Sequence, residues 1–429
     1  MVETAPLPTA LRTYAAHNLD TSELIADSPF TVKWLLDILT ASDDKFQVLT
    51  KTSKVTKVTG IDLSQGKGFA SKVYKVTIEF DDQNEKHIVC LKVPETESFN
   101  EAFTKDEMGM KLETGIKQAE VAMLHNRECD FYEKYAPHLD IPLPKVYKTI
   151  KWIIGEQQGA ILMESFFGET TTMPVSAGLT TQQLYNLAKQ MATWHSYILS
   201  LPKEEWMGNY PATMFDSFCE GDFLEAALKA LKEKNAGRFD EAVDTLGPLA
   251  KSLKFFHYCW SEVYLDVGLP PVLAHGDLWT NNILWKKNPD GSIANELAAI
   301  IDWQAIHDGC MTADLARFMA ICADAEVRRE HEFKILQFYY DEVVKNFNEK
   351  GKTAEFTMDQ LTKAYKANFI VHAMFLMCMG PLLFPDVSSQ QPDYKVKKAE
   401  REKILLRAEF AAKDAMEYLK DVPEDIKNA

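Results

Sequence analysis

A short loop in the second half of the chain carries the residues best suited to chemistry. Asp277 follows His275 and Gly276, and Asn282 comes five residues after Asp277. A second acidic residue, Asp302, ends the apolar run LAAII after an intervening turn. Phosphoryl transfer needs metal ions on the phosphate oxygens and a carboxylate at the attacking hydroxyl, and this set of side chains could supply both. The spacing also matches the catalytic loop of kinases, in which an Asn follows the catalytic Asp by five residues.

Asn282 and Asp302 are the candidate ligands of a magnesium ion, and Asp277 is the candidate catalytic residue. Mg²⁺ prefers oxygen ligands and keeps several waters, so one amide oxygen and one carboxylate, completed by triphosphate oxygens, would suit it. The structural alternative is that Asp277 caps a helix and Asp302 ends a strand. Other segments of the chain favour the nucleotide interpretation.

A glycine-containing segment, GKGFAS, precedes the first strand of a predicted hairpin and is a candidate phosphate-covering loop. Gly66 and Gly68 would let the backbone approach phosphate oxygens without a Cβ in the way. Ser71 stands where the pattern G-x-G-x-x-G has its third glycine. An ordinary turn would have the same composition, so the position of this segment before the strand is what favours nucleotide binding.

Lys92 lies in the apolar run VCLKV and matches the strand lysine that reaches nucleotide phosphates in kinases. A lysine between apolar strand residues is costly unless it has an anionic partner. Glu128, on a predicted helix, is the expected partner, with Glu120 and Glu113 as competitors. Further on, the run GAILMESF predicts a buried strand that leads into a linker. Adenine would bond there to backbone groups near Glu164 and Ser165.

The spacing of apolar residues, which predicts the elements that position these side chains, changes along the chain. The segment KVYKVTIEF alternates apolar and polar residues, and after a polar turn the segment HIVCLKV returns with β-branched and apolar residues. This pattern predicts a β-hairpin within a small antiparallel sheet. From about residue 175 the apolar residues recur at helical spacing, interrupted by one β-rich island around the Asp277 loop. These patterns predict an α+β fold in three parts: a helical N-terminal extension (1–44), a β-rich lobe (45–166) and a helical lobe (167–429).

Composition narrows the possible partners. The chain of 429 residues has 47 Lys and Arg against 63 Asp and Glu, a net charge of −16, which disfavours nucleic acid. The seven cysteines are scattered and form no C-x-x-C pair, which is typical of thiols in a reducing compartment. No signal peptide is recognisable at the start. The longest apolar stretch, 369–384, is too short for a membrane span and predicts a buried helix ended by Gly380 and Pro381. We expect a cytoplasmic protein.

The order of these motifs resembles the aminoglycoside phosphotransferase and choline kinase superfamily, from about residue 30 to about residue 420. The segments HGDLWTNNILW, IIDWQ and DLARF resemble more narrowly its CHK-kinase-like, or ecdysteroid-kinase-like, branch, which is common in insects and nematodes. The resemblance implies a bilobal protein-kinase-like fold that binds ATP and Mg²⁺. Asp277 would then orient or deprotonate the substrate hydroxyl, Asn282 and Asp302 would bind Mg²⁺, and Lys92 would hold the α and β phosphates while paired with Glu128.

Other matching residues are expected to be scaffold. His275 would brace the loop. Asp314 would cap the helix that begins ADLARF or bond back to the catalytic loop, and His195 would support that loop. The chain departs from the pattern at Ser71, which replaces a glycine, and at Gln304, where choline kinases carry an additional glutamate. The second departure weakens an assignment to choline or ethanolamine.

The expected reaction is transfer of the γ-phosphate of ATP to a hydroxyl of a small organic acceptor, such as a sterol, a glycoside or an amino alcohol. Protein kinases need a long segment that ends in A-P-E, whereas 12 residues separate Asp302 from Asp314 and no A-P-E follows. A pseudokinase that binds nucleotide or a small ligand is the alternative of another class. The helical stretches 205–240 and 305–385 are candidates for the acceptor pocket.

Overall fold

The computed structural model describes residues 19–64, 70–81, 85–97, 117–213, 216, 223–385 and 387–428. The chain divides into two compact units. The described residues of Met1–Ala102, Thr114–Glu133 and Pro144–Gly168 form the N-terminal unit. Those of Lys134–Leu143 and Glu169–Ala429 form the C-terminal unit.

The N-terminal unit is built on a five-stranded sheet with the order β1-β2-β3-β5-β4, in which every neighbouring pair is antiparallel. Its described elements, in chain order, are α1 (Val32–Ser42), α2 (Asp44–Leu49), β1 (Val55–Asp62), β2 (Ser71–Phe80), β3 (His87–Pro94), α3 (Gln118–Asp130), β4 (Val146–Ile150) and β5 (Ala160–Glu164). The predicted hairpin corresponds to β2 and β3, in which Tyr74 pairs with Leu91.

One hydrophobic core joins the first two helices to this sheet. Thr31 caps α1 by accepting a hydrogen bond from the Trp34 backbone, and Asp43 caps α2 in the same way. Leu35 and Leu39 of α1 are fully buried in the same cluster as the inward-facing residues of the strands. The helix before residue 44, α1, therefore shares the core of the sheet, and the domain boundaries placed at 44 and 166 stay predictions.

The C-terminal unit is mostly helical and contains two small sheets, of order β6-β8-β9 and β10-β7. Its described helices are α4 (Thr181–Ile198), α5 (Phe223–Lys234), α6 (Asp240–Leu246), α7 (Leu253–His257), α8 (Val263–Val267), α9 (Ala313–Cys322), α10 (Ala325–Glu349), α11 (Met358–Leu383), α12 (Tyr394–Tyr418) and α13 (Glu424–Lys427). Its strands are β6 (Thr170–Thr171), β7 (Val272–Ala274), β8 (Ile283–Lys287), β9 (Ile293–Ile300) and β10 (His307–Gly309). The predicted α+β class, with a small antiparallel sheet followed by a mostly helical part, is confirmed.

The apolar stretch 369–384 lies in the second half of α11, where most of its residues are buried. The predicted end of this helix at Gly380 and Pro381 is wrong, because the helix continues to Leu383 and the backbone N–H of Phe384 donates to Gly380 O at 3.0 Å. A proline removes one backbone donor, and so close to the end of a helix the last turn still forms around it. Among the described residues, no helix combines the length and the apolar composition needed to cross a membrane.

Candidate active site

Lys92 and Glu128 form a buried ion pair within the N-terminal unit. Lys92 lies on β3 between its cross-strand partners Val73 and Ile161, and its side chain is 10% exposed. Its Nζ donates to Glu128 Oε2 at 2.5 Å, and the Glu128 side chain is 1% exposed. Kinases require this pairing of a strand lysine with a helix glutamate.

Of the two competing glutamates, the structure describes Glu120, which has a different partner. Glu120 instead accepts a hydrogen bond from the Lys117 backbone at 2.8 Å, which caps the start of α3. Glu113 lies outside the described residues. The pair that the structure brings together is therefore Lys92 with Glu128.

Helix α3, which carries Glu128, is fastened to the strands and turn beside it by contacts that sequence reasoning missed. The Asn126 side chain accepts a hydrogen bond from Trp152 N at 2.7 Å and donates one to Trp152 O at 3.1 Å. It thus pairs with both backbone groups of Trp152, as the backbone of a neighbouring β-strand would. His125 Nε2 donates to Ile150 O at 2.8 Å. The available signal was the short amide of Asn126 inside a helix, where such a residue is unfavourable without a partner.

The charge state of His125 fits this packing role. Burial lowers the pKa of His125 to about 4, so the ring is neutral near pH 7. Gly159 allows the close approach, because a Cβ at that position would come within 2.5 Å of the His125 ring. The helix is thereby held by neutral hydrogen bonds and tight packing at the turn just before Glu128.

Only some of the remaining candidate residues for nucleotide binding lie in the described structure. Gly66 and Gly68 lie outside the described residues, and Ser71 begins β2 with its Oγ donating to Ala70 O at 2.8 Å. Glu164, at the end of β5, accepts from Lys145 N at 2.8 Å, and Ser165 Oγ accepts from Phe167 N at 3.3 Å. These contacts order the segment after β5, and its contact with adenine stays a prediction.

Asp277 lies in the loop between β7 and β8 of the C-terminal unit, and both of its carboxylate oxygens have partners. Oδ1 accepts a hydrogen bond from Arg317 Nη2, and Oδ2 accepts from Asn282 Nδ2 at 3.0 Å. Asn282 Nδ2 also donates to Asp277 O at 2.9 Å. The side chain of Asp277 is 19% exposed, so the carboxylate is fixed but still reachable.

Asp314 fixes the backbone of the same loop from the first turn of α9. Its carboxylate accepts from His275 N at 2.7 Å and from Gly276 N at 2.9 Å, so of its two predicted roles the bond to the catalytic loop is present. Gly276 has φ +81°, and a Cβ there would lie 2.3 Å from Ala305 O. Only glycine fits this turn. Burial raises the pKa of Asp314 to about 6.

Asn282 and Asp302 are brought to the same end of the β8–β9 hairpin. Ile283 pairs with Ile300, and the N–H of Ile301 donates to Asn282 O at 3.0 Å. Asp302, the next residue, has φ 65° and ψ 55°, the left-handed region that non-glycine residues rarely adopt. Such a strained conformation persists where the surrounding contacts hold the backbone in place, and this is often the case at functional sites.

Histidines brace this arrangement in neutral form. His275 Nε2 donates to Ile301 O at 3.1 Å, and its Nδ1 accepts from Asp277 N at 3.2 Å. His195 is hydrogen-bonded to the Tyr339 hydroxyl at 2.7 Å, and its Nε2 lies 3.8 Å from Asp314. Burial lowers the pKa of His275 to about 4 and that of His195 to about 3.

The electrostatic setting of Asp277 combines opposing influences. Burial raises the pKa of its carboxyl above the ordinary value of 3.8, the Arg317 guanidinium opposes this, and the nearby Asp302 carboxylate adds to it. Arg317 was not identified from the sequence. Its signal was a second charged residue, after Asp314, in the largely apolar helix ADLARFMAIC.

The donor set at the hairpin end fits a magnesium ion. Asn282 commits its amide nitrogen to Asp277, which leaves its amide oxygen as a candidate metal ligand, and Asp302 at the same end of the hairpin carries a carboxylate. Mg²⁺ prefers such oxygen ligands. Within the described ranges no three His, Cys, Asp or Glu side chains converge as a metal-binding group. A Mg²⁺ ion there would therefore need oxygens from water and from the nucleotide.

Three comparisons place the chain among known proteins. It is 30% identical over 318 residues to a Caenorhabditis elegans protein named "Uncharacterized oxidoreductase dhs-27", covering 72% of this chain and 38% of that protein. The chain thus spans less than half the length of that relative. A C. elegans protein named as an uncharacterized kinase-like protein is 24% identical over 339 residues, 76% of this chain and 83% of the relative.

Among solved structures, the chain is similar to wild-type aminoglycoside 2'-phosphotransferase-IIIa in complex with GDP. The match covers 87% of this chain and 98% of that one, at 13% identity and a TM-score of 0.43. The family model DUF1679, described as "Uncharacterized oxidoreductase dhs-27", matches residues 31–422, and the chain therefore belongs to this family.

Proposed function

We propose that this protein is an ATP- and Mg²⁺-dependent kinase that transfers the γ-phosphate to a hydroxyl of a small organic acceptor. The observation that carries the proposal is the Asp277 loop. Its carboxylate is held on one oxygen by Asn282 and on the other by Arg317, and Asn282 stands beside Asp302. This is an arrangement of carboxylates and an amide suited to phosphoryl transfer.

The roles of the individual residues follow from their contacts. Asp277 would accept a hydrogen bond from the acceptor hydroxyl and orient it toward the γ-phosphorus, because its carboxylate is fixed yet partly exposed. Asn282 and Asp302 would hold Mg²⁺, which when bound neutralises charge on the phosphate oxygens. Lys92, held in its buried position by Glu128, would bind the α and β phosphates.

The name that the first relative shares with the family description raises the question of an oxidoreductase. A dinucleotide-binding fingerprint needs a glycine loop between a strand and a helix in a parallel βαβ unit. In this chain the GKGFAS segment connects β1 and β2, which are antiparallel neighbours. That connection favours a phosphate-covering loop of the kinase type, and the name belongs to a protein of which this chain matches 38%.

The acceptor class is a finer proposal. The motifs HGDLWTNNILW and IIDWQ support the CHK-kinase-like, or ecdysteroid-kinase-like, branch, and with it a sterol-like, glycoside or amino-alcohol acceptor. Gln304 weakens the choline and ethanolamine choices. We propose a small-molecule partner in place of a nucleic acid, a membrane or a protein. The six described cysteines are free thiols, which suits the cytoplasm.

The alternative is a pseudokinase that binds nucleotide or a small ligand without transferring phosphate. Pseudokinases usually lose the lysine, the catalytic aspartate or the metal aspartate, and this chain keeps Lys92, Asp277 and Asp302. That retention favours an active enzyme.

The test is incubation of the purified protein with γ-labelled ATP, Mg²⁺ and a fractionated metabolite extract, with the Asp277→Asn variant as the blank. We expect label in an organic product from the wild type and none above background from the variant. Nucleotide binding by the wild type without transfer in any fraction would support the pseudokinase instead.

A further inference from the structure

Arg317 lies one helical turn beyond Asp314 on α9, on the same face of the helix. Asp314 accepts hydrogen bonds from the backbone of His275 and Gly276, and Arg317 donates to the side chain of Asp277. One short helix therefore holds three consecutive loop residues, two by their backbone and one by its carboxylate.

We propose that Arg317 is a positioning residue that fixes the Asp277 carboxylate in the orientation needed for phosphoryl transfer. The inference rests on the proposed function, because it concerns the geometry of that reaction. Arg317 is 5% exposed at its side chain, so its charge needs a compensating anion, and Asp277 is the one it contacts.

The guanidinium is held for this contact at the cost of other hydrogen bonds. Its Nε and Nη1 are buried and have no hydrogen-bond partner among the described residues, while Nη2 binds Asp277. A buried donor without a partner destabilises the folded state. An arginine that served only to stabilise the fold would be expected to use more of its donors.

The guanidinium also lies over an aromatic ring. Its Cζ lies 5.9 Å from the centre of the Trp260 ring, within range of a cation–π interaction. Trp260 stacks on His307 at 5.7 Å and packs against His372 at 4.9 Å. Burial lowers the pKa of His372 well below its ordinary value, so this support adds no second positive charge. The Arg317 guanidinium therefore interacts with both Trp260 and Asp277.

Two donors on different oxygens define the plane of the Asp277 carboxylate. Asn282 alone, bonded to Oδ2 and to the backbone oxygen of the same residue, would leave the group free to swing about its remaining bonds. Displacement of a catalytic group by about 1 Å can cost about 10²-fold in rate. Loss of Arg317 should therefore act on the chemical step and not on nucleotide binding.

The test compares Arg317→Met, Arg317→Lys and a matched control, Arg407→Met. Arg407 is a buried arginine of the same unit that bonds to Val175 O, Ile321 O and Asp324 and does not contact the loop. We expect Arg317→Met to lower kcat about 10- to 100-fold with the KM for ATP changed less than about threefold. Arg317→Lys should recover part of the loss, and Arg407→Met should lower the Tm while folded enzyme keeps its kcat.

Two kinetic results would overturn the inference: a folded Arg317→Met variant with kcat within about twofold of the wild type, or equal kcat losses in Arg317→Met and Arg407→Met. A crystal structure of Arg317→Met gives a readout that does not depend on activity. A carboxylate rotated away from the 3.0 Å contact with Asn282 is expected, and an unmoved one contradicts the inference. An inactive wild type with a displaced Asp277 in the variant would refute the proposed function and leave the positioning role supported.

Discussion

Replacing Glu128 with glutamine should remove the negative charge that Lys92 contacts in this buried pair. The two side chains are 10% and 1% exposed, so water cannot replace the lost carboxylate. Removing one partner of a buried ion pair costs about 3–5 kcal/mol. Since domains are stable by about 5–15 kcal/mol, the variant should lose a large share of the stability of its N-terminal unit.

The double variant Lys92→Met with Glu128→Leu provides the control. Well-packed apolar side chains of similar volume often replace a buried ion pair without loss of stability. We therefore expect the free energy of unfolding of the double variant to lie within about 1 kcal/mol of the wild-type value, although each single change is costly. Such a result would show that the pair is retained for nucleotide binding and not for stability.

Urea denaturation with and without ATP measures both effects. ATP at about 100 times its Kd should stabilise the wild type by about 2.7 kcal/mol and leave the double variant, which lacks the lysine, almost unchanged. A loss below about 1 kcal/mol for Glu128→Gln would refute the reasoning, because it would show that Lys92 does not depend on this carboxylate.

Three further changes probe the surroundings of the site. Asn126→Ala removes two hydrogen bonds that hold α3 and should raise the KM for ATP about tenfold, measured by steady-state kinetics; an unchanged KM would contradict this. His125 and His195 stay neutral when folded, with pKa values of about 4 and 3. The stabilisation that each neutral ring contributes is thus fully present above pH 6.5, and the free energy of unfolding falls by about 3 kcal/mol for each ring as the pH drops toward 4. Replacing either histidine by glutamine should reduce the slope of the free energy of unfolding, measured against pH, over this range. Gly276→Ala should cost about 3 kcal/mol or more in urea denaturation, since its Cβ would meet a carbonyl oxygen at 2.3 Å, whereas Gly291→Ala, with φ +85° and open space, should cost about 1 kcal/mol.

Much of the fold and the partners of the main ion pair could be predicted from local patterns. The hairpin follows from alternation of residues in β2 and β3, and the helical part follows from apolar residues at helical spacing. Lys92 was recognisable because a lysine in an apolar strand needs an anion, and Glu128 because it lies on the next helix. These inferences need the local pattern around each residue, one general rule about buried charge, and the pairing of a strand lysine with a helix glutamate known from kinases.

The supporting contacts could not be predicted because they join segments that are distant in sequence. Asn126 meets the Trp152 backbone 26 residues away, and Arg317 meets Asp277 40 residues away. Neither residue belongs to a spacing pattern, and each stood out only as a polar side chain within a helix. The continuation of α11 past Pro381 was missed for another reason. Gly followed by Pro is a strong signal for the end of a helix, yet a proline close to the last turn costs the helix little energy.

The most direct test of the central claim is the rate of γ-phosphate transfer by Asp277→Asn, compared with its affinity for ATP. The amide keeps the size of the carboxylate and removes its charge, so nucleotide affinity should stay within about threefold while transfer to the acceptor falls about 10²- to 10⁴-fold. Transfer within tenfold of the wild-type rate, or a loss of ATP binding equal to the loss of rate, would contradict the role given to Asp277.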